Sequence, residues 1–178
     1  MTQLLSYEIE NYRSFYTRQL LSLGNTEDRS VTALFGANSG GKSNTAKALL
    51  LIQTMISNSA AANWTLPYQP FLLKDGADGE PTFFKLSFIA DEQYYTYEFG
   101  YDSESIVFEE LKEQSRNTRK MKTVFSRSSD GTINSSAVKS GFGASVAKKT
   151  RKETLLITKA REDNNEYANT VFELMDSI

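Results

Sequence analysis

The chain has 178 residues, of which 39% are hydrophobic and 24% charged, with a formal net charge of −2, values ordinary for a globular protein. It contains no cysteine and no histidine, which excludes disulfides, a histidine general base and any His- or Cys-ligated zinc site. No apolar run approaches the roughly 20 residues of a membrane helix, and the N-terminus lacks the pattern of a signal peptide. We therefore expect a soluble cytoplasmic protein in which any metal is held by oxygen ligands, as suits Mg²⁺.

The first 23 residues predict a β-hairpin. Residues 5–10 alternate between apolar and polar side chains, which is typical of a strand. Residues 11–15 then make a turn, and residues 18–23 fit a second strand that pairs back on the first. A polar loop over residues 24–30 leads to a short β-branched and apolar run at residues 31–35.

A glycine-rich motif follows that run. Residues 36–43 read G-A-N-S-G-G-K-S and match the phosphate-binding pattern G-x-x-x-x-G-K-[ST]. The glycines Gly36, Gly40 and Gly41 lack a Cβ, so the backbone can turn several N–H groups toward an anion at the start of the next helix. Lys42 adds a positive charge for the outer phosphates, and the Ser43 hydroxyl can ligate Mg²⁺. The motif predicts a nucleotide-binding loop between a strand and a helix.

The helix after the loop is predicted over residues 44–56, with Ala46, Leu49, Leu50 and Met55 among the candidates for its buried face. Residues 57–79 form an irregular connection marked by proline and glycine. Four strands then follow as an antiparallel meander. They are predicted over residues 82–89, 93–101, 106–111 and 122–127.

The last third of the chain is less regular. Residues 135–150 are poor in large apolar side chains and predict a flexible loop, whereas residues 166–177 predict a helix. We expect a single partial domain over residues 1–178. It is divided into a hairpin and loop-helix segment (1–56), an antiparallel β subdomain (57–134), and a basic linker with a C-terminal helix (135–178).

Positive charge is concentrated in one window. Residues 111–152 carry eleven Lys/Arg and two acids, or +9, while the rest of the chain carries nine basic and 20 acidic residues, or −11. Such an excess is a candidate electrostatic footprint for DNA or RNA. The alternative interpretation is that residues 111–152 form a solvated, partly flexible surface segment.

The opening segment and the glycine-rich loop together resemble one group of ATPases. The Asn-Tyr-Arg-Ser-Phe turn at residues 11–15 and the loop with Asn38 and Asn44, in the pattern G-x-N-x-x-G-K-S-N, are similar to the N-terminal lobe of ABC-type ATPase heads of the RecF, SMC and OLD kind. Stand-alone bacterial ATPases of phage-defence and abortive-infection loci belong to that kind. The resemblance implies an α/β fold, a P-loop NTPase N-terminal lobe with a mixed sheet, a P-loop helix and an antiparallel β subdomain.

The resemblance also implies a site. The loop would hold Mg-ATP, with Ser43 as a metal ligand. Arg13 in the turn would lie near the nucleotide, although a surface turn residue is an equal alternative. The implied binding residues are Gly36, Asn38, Ser39, Gly40, Gly41, Lys42, Ser43, Asn44 and Arg13.

Several parts of a complete head are not found. A Walker B strand ends in Asp-Glu, but the acidic pair Glu109-Glu110 comes too early and lacks the aspartate; no signature motif matches either. We therefore expect an incomplete head that binds Mg-ATP but hydrolyses it slowly or not at all alone. The resemblance implies a missing C-terminal lobe or partner subunit, and a nucleotide-bridged homodimer in the full protein, with a role in DNA maintenance or phage defence.

Two other functions are open to test. A nucleic-acid-binding module would use residues 111–152, with nucleotide as its regulator, and would lose affinity steeply with salt. A P-loop kinase or a GTPase is disfavoured, because no lid, base or guanine-reading motif is found in the sequence.

Overall fold

One antiparallel sheet of six strands organises the chain. The computed structural model describes residues 2–24, 35, 41–115, 118–134 and 139–178. The strand order is β2-β1-β3-β4-β5-β6, with every neighbouring pair antiparallel. The strands are β1 (Thr2–Glu10), β2 (Gln19–Ser22), β3 (Thr82–Ala90), β4 (Gln93–Tyr101), β5 (Ile106–Gln114) and β6 (Met121–Ser128).

Four α-helices and one short 3₁₀ helix with described bounds accompany the sheet. The α-helices are α1 (Lys42–Asn58), α2 (Ala144–Lys149), α3 (Leu156–Glu162) and α4 (Glu166–Asp176), and the 3₁₀ helix is Ala77–Gly79. Helices α1, α3 and α4 pack on one another, and α4 also contacts β1 and β3. The Asn165 side chain caps α4 by accepting a hydrogen bond from the Ala168 N–H.

The hydrophobic core lies between the sheet and these helices. Alternate residues on the strands are buried because successive side chains of a strand point to opposite faces. On the inner face, aromatic rings predominate; Phe84, for example, packs edge-on against Tyr12 with ring centroids 5.4 Å apart. The other face is polar and holds a charge cluster in which Arg18 lies within 3.6 Å of Glu8, Glu10 and Glu98.

The predicted hairpin and the four-stranded meander are both confirmed, but they are not separate sheets. β1 pairs with β3 along most of its length, so residues 1–56 and 57–134 contribute to the same sheet. The strands β2, β3, β4 and β6 match the predicted ranges to within one residue at each end. Strand β5 continues three residues further than predicted, to Gln114. The three-part division of the chain therefore stays a prediction, without a break in the sheet to support it.

Helix α1 is confirmed, although two of its predicted core positions are wrong. Ala46 and Leu50 are exposed, and the buried face contains Thr45, Ala48 and Ile52 instead. The polar group of Thr45 tolerates burial because its hydroxyl donates a hydrogen bond to the Gly41 carbonyl, 3.1 Å away. Met55 is buried as predicted, and Leu49 is half-buried.

The loop predicted over residues 135–150 is wrong in its second half, where α2 forms. The Phe142 ring, just before α2, stacks on Phe125 of β6 with centroids 4.2 Å apart, and Val146 is buried. Two apolar anchors thus hold a short helix whose own composition favours a loop. The predicted strand at residues 31–35 lies outside the described part of the chain except for Phe35, so the parallel strand of a mixed sheet remains a prediction. In the described residues, no helix is long and apolar enough to cross a membrane.

Candidate functional site

Helix α1 begins at a glycine whose geometry no other residue fits well. Gly41 has φ +83° and ψ −3°, in the left-handed region that L-residues with a Cβ rarely adopt. A Cβ added there would lie 3.0 Å from Cζ of Phe15 and 3.4 Å from Oγ of Ser14. The close approach of the backbone to the turn therefore requires glycine for two independent reasons.

The turn at residues 11–15 is joined to the start of α1 by side chains. The Asn44 side-chain amide donates to Oγ of Ser14 at 2.9 Å, and the Phe15 ring covers Gly41. These contacts link the two segments that the sequence placed in one site, the Asn-Tyr-Arg-Ser-Phe turn and the glycine-rich loop. The Asn44–Ser14 hydrogen bond was not predicted, although both residues stand in the motifs.

The start of α1 is also tied to the sheet. The Tyr7 hydroxyl on β1 donates to the Thr45 carbonyl at 3.2 Å. Burial raises the pKa of Tyr7 to about 12, so the hydroxyl stays protonated and able to donate at neutral pH. The helix therefore has a fixed distance from β1 at the end where the glycine-rich loop joins it.

The turn itself is held by Asn11. Its side-chain amide donates to the carbonyls of Ala77 and Glu80 at 2.8 and 2.6 Å, and its Oδ1 accepts from the Phe71 N–H at 3.0 Å. Asn11 has φ +46°, a conformation that asparagine tolerates better than most residues. The buried amide thus fixes the turn against the irregular connection that follows α1.

Four of the predicted binding residues, Gly36, Asn38, Ser39 and Gly40, lie outside the described residues. Among the others, Lys42 is the first residue of α1 and Ser43 is exposed on its first turn. The first turn of α1 holds no acidic side chain, so no carboxylate opposes an anion at the positive end of the helix. Gly41, Lys42, Ser43 and Asn44 are thus brought together at one helix terminus.

Arg13 lies next to that terminus but along the side of α1. Its backbone has φ +50°, and its N–H donates to the Gln69 carbonyl at 2.9 Å. Its guanidinium carbon is 5.5 Å from the centroid of the Tyr12 ring, and Nε is buried without a hydrogen-bond partner. The structure places Ser14 and Phe15, rather than Arg13, against the described residues of the glycine-rich loop.

A buried carboxylate lies at the other end of the molecule, and its structural role was not predicted from the sequence. Glu109 is fully buried, and its oxygens accept hydrogen bonds from the N–H groups of Leu156 and Ile157 at 2.6 and 2.9 Å and from the Tyr97 hydroxyl at 2.9 Å. Arg127 lies 3.5 Å from it. The alternation of β5 could have identified Glu109 as inward-facing, because Leu111 two residues on is also buried.

The segment just before the α3 partners of Glu109 also holds the C-terminal end of α1. The Leu155 N–H donates to Oγ of Ser59 at 3.1 Å, and the Thr154 hydroxyl donates to the Ser59 carbonyl at 2.8 Å. Arg151 reaches the carbonyls of Ala61 and Ala62 at 2.6 and 3.1 Å. With a rise of 1.5 Å per residue, this end of α1 lies about 25 Å from Gly41. Glu109 is therefore a structural carboxylate and is too far away to orient water at the loop.

The basic window does not form one uniform cationic surface among its described residues. Arg127 is buried against Glu109 and the Thr154 carbonyl, and Arg151 binds carbonyls at the end of α1. Lys112, Lys122 and Lys152 each pair with a glutamate. In the same described ranges, no group of three or more acidic side chains could hold a metal ion.

Comparison with known families adds an independent observation. A family model described as "AAA domain, putative AbiEii toxin, Type IV TA system" matches residues 31–168. The match spans more than three quarters of the chain and includes the glycine-rich loop, α1, the meander and α2 to the start of α4. The chain belongs to this family of AAA domains. Its six-stranded sheet and α1 are compatible with a P-loop NTPase lobe, and the AAA domain as a family is associated with nucleotide binding.

No curated protein matches this AAA domain. The family assignment therefore rests on the family model. It agrees with the coarser part of the sequence resemblance, a P-loop ATPase domain.

Proposed function

We propose that this AAA domain binds Mg-ATP through the loop at residues 36–43, as the N-terminal lobe of an ABC-type ATPase head of the RecF, SMC and OLD kind. One observation carries the proposal. Gly41 is the last glycine of the loop pattern, and its positive φ and contact with Phe15 place the backbone of the helix start against the Asn-Tyr-Arg-Ser-Phe turn. The turn and the loop are the two motifs of the resemblance, and they are in contact.

The residues present fit a bound triphosphate. A close backbone approach, a first helical turn without acidic side chains and a lysine as first helical residue are elements of an anion cradle. Lys42 would contact the outer phosphates, and Asn44 is already fixed by Ser14. Gly36, Asn38, Ser39 and Gly40 would supply loop backbone around the phosphates.

The exposed Ser43 hydroxyl is in position to serve as the protein ligand of Mg²⁺. The metal, when bound, neutralises charge on the phosphates and orients them for in-line attack. Described carboxylates do not gather at this helix end, so Ser43 is the described residue that we assign to the metal.

Hydrolysis requires a group that orients the attacking water. The one buried carboxylate that the sequence brings near a Walker B pattern, Glu109, is committed to α3 and Arg127. We infer that this group and the signature motif come from a C-terminal lobe or partner subunit outside these residues, with a nucleotide-bridged homodimer as the working assembly. The domain alone would bind Mg-ATP and turn it over weakly or not at all.

The family name refers to a toxin of a type IV toxin–antitoxin system. Together with the resemblance to ATPases of phage-defence loci, this supports a role in defence against phage, in which nucleotide binding controls an effector. DNA maintenance is the second process in which heads of this kind act. We propose the defence role on the strength of the family name.

A nucleic-acid-binding module that uses residues 111–152 is the alternative function. The exposed cations Arg119 and Lys120 at the β5–β6 turn favour it. The structural engagement of Arg127 and Arg151 reduces the charge that is free for phosphates. A steep loss of DNA or RNA affinity with salt, unaffected by Lys42→Ala, would favour this module.

The proposal is tested by titrating the purified chain with Mg-ATP while phosphate release is followed in the same samples. We expect saturable binding that is lost in Lys42→Ala, with little release of phosphate. Lys47→Ala, which removes the same charge one turn along α1, is the matched control and should retain binding. Fast phosphate release that depends on Lys42 would contradict the incomplete-head account, and absence of binding would contradict the assignment of the loop.

A further inference from the structure

A groove runs along the side of α1, on the face that the core leaves exposed. Its volume is about 290 Å³. One wall is formed by Tyr12, Arg13 and Gln69. The other is a stripe of α1 at positions i, i+3, i+4 and i+7, namely Lys47, Leu50, Leu51 and Thr54. Residues with this spacing share one face of a helix, so the groove has a continuous wall over two turns of α1.

The charge in this groove has one sign. Among the described residues that line it, Arg13 and Lys47 are the cations and none is acidic. Within the described part of the chain neither cation has an ion-pair partner, and Nε of Arg13 is buried with no acceptor. Two cations without an acidic partner beside them attract an anionic ligand.

The groove wall that carries Arg13 is rigidly built. Asn11 fixes the turn through three hydrogen bonds, and the Arg13 N–H bonds to the Gln69 carbonyl across the base of the wall. The Arg13 guanidinium packs over the Tyr12 ring. The donor group is therefore held in place before any ligand arrives, which lowers the entropic cost of binding.

The opposite wall is apolar at its centre. The Leu50 side chain is 61% exposed, and Leu51 packs at the edge of the hydrophobic core. A nucleic-acid backbone needs a track of several cations, whereas this groove offers two cations beside leucine side chains. The combination fits a carboxylate with apolar neighbours better than it fits a phosphate chain.

We propose that this groove binds a segment of a partner polypeptide that presents an acidic side chain to Arg13 and Lys47 and an apolar side chain to Leu50 and Leu51. The guanidinium of Arg13 receives the carboxylate through its two terminal nitrogens, a paired geometry that carboxylates favour. The groove residues named above lie outside the loop at residues 36–43 in sequence, so the proposal uses none of the nucleotide-binding residues of that loop.

The test uses the full chain, uniformly labelled with ¹⁵N, and two capped peptides as probes: acetyl-Leu-Glu-Leu-amide and its matched control acetyl-Leu-Gln-Leu-amide. Inorganic phosphate and a short single-stranded DNA are titrated separately. We expect the glutamate peptide to saturate and to shift the amides of Lys47, Leu50, Leu51, Thr54 and Gln69. The glutamine peptide should bind about tenfold more weakly, as expected when a charged hydrogen bond is lost.

Variants locate the binding. Lys47→Gln changes an exposed side chain and should weaken the glutamate peptide about threefold, whereas Arg13→Gln should weaken it about tenfold. Lys148→Gln on α2 removes the same charge elsewhere and should leave the affinity unchanged. Equal binding of both peptides, shifts outside the groove, or saturation by DNA with no response to the peptides would overturn the proposal.

Discussion

The two ends of α1 are held in different ways. At the C-terminal end, buried polar groups connect Ser59, the segment at residues 154–158 and Glu109 in one network. At the N-terminal end, three contacts hold the helix: Tyr7 to the Thr45 carbonyl, Asn44 to Ser14, and Phe15 over Gly41.

Because of this difference, we expect the C-terminal end of α1 to contribute mainly to stability and the N-terminal end mainly to nucleotide binding. A buried, fully satisfied network rigidifies the region that contains it, so the C-terminal end of α1 anchors the helix to the sheet. The N-terminal end keeps Ser43 exposed and its first turn free of acidic side chains, which leaves the positive end of the helix accessible. The comparison predicts that substitutions at one end change folding and those at the other change nucleotide binding.

The largest effect on stability is expected at Glu109. Glu109→Ala leaves Arg127 buried without its carboxylate partner and leaves two N–H donors of α3 without an acceptor. We therefore expect a loss of about 3–5 kcal/mol in the free energy of unfolding. Urea denaturation measures it. Glu110→Ala, the next residue, removes an ion pair with Lys112 on the open face and should cost less than about 1 kcal/mol. Equal costs would show that the Glu109 network does not anchor the fold.

Gly41→Ala should reduce stability less than Glu109→Ala does but should abolish Mg-ATP binding. The positive φ and the 3.0 Å approach to Phe15 predict a loss of about 1–2 kcal/mol in stability, together with loss of Mg-ATP binding, because the loop must move. Gly76→Ala is a matched control with φ +82° and no atom within 4 Å of the added Cβ. If Gly41→Ala bound Mg-ATP as well as the unmutated chain, the helix start would not be part of the site.

A smaller effect is expected at the turn. Ser14→Ala removes the acceptor of the Asn44 amide, an exposed hydrogen bond worth about 1 kcal/mol or less. We expect Mg-ATP affinity to fall by about threefold to fivefold with stability almost unchanged, measured by calorimetric titration. Ser145→Ala, on the exposed side of α2, controls for the loss of a serine hydroxyl. An unchanged affinity would mean that the turn does not support the loop.

The last effect is absent at neutral pH and appears only in alkaline solution. Burial raises the pKa of Tyr7 to about 12, above its ordinary value of 10.0. A pKa that is higher in the folded state gives stability that is present below the unfolded pKa and lost as pH rises through the folded pKa. Unfolding measured between pH 9 and 12 should show this loss above pH 10. Tyr7→Phe should make the alkaline slope shallower, and an unchanged slope would contradict the assignment.

The sequence predicts local elements well where one pattern controls them. The alternation of residues 82–101 defines β3 and β4, and the motif with Gly41 and Lys42 locates the start of α1 within two residues. The buried face of α1 is harder to predict, because it depends on how the helix packs against a sheet whose strands are distant in sequence. Leu50 was therefore assigned to the core, although it lines an open groove.

The candidate site shows the same limit. Its motif residues could be named from the sequence, but the bond between Asn44 and Ser14 joins positions 30 residues apart and depends on the fold. From the sequence, Glu109 could only be compared with a Walker B motif. Its hydrogen-bond partners, Leu156 and Ile157, lie 47 and 48 residues further along the chain. Tertiary partners decide the role of a buried carboxylate, and the sequence pattern of β5 does not name them.

The central claim is that Mg-ATP binds at the N-terminal end of α1. The most direct test is amide hydrogen exchange of the full chain with and without Mg-ATP. The account predicts slower exchange in peptides that cover residues 36–45 and the turn at residues 11–15, with no change at residues 55–59 and 154–158, where the network is already closed. Protection confined to residues 55–59 and 154–158, or none at residues 36–45 at saturating nucleotide, would contradict it.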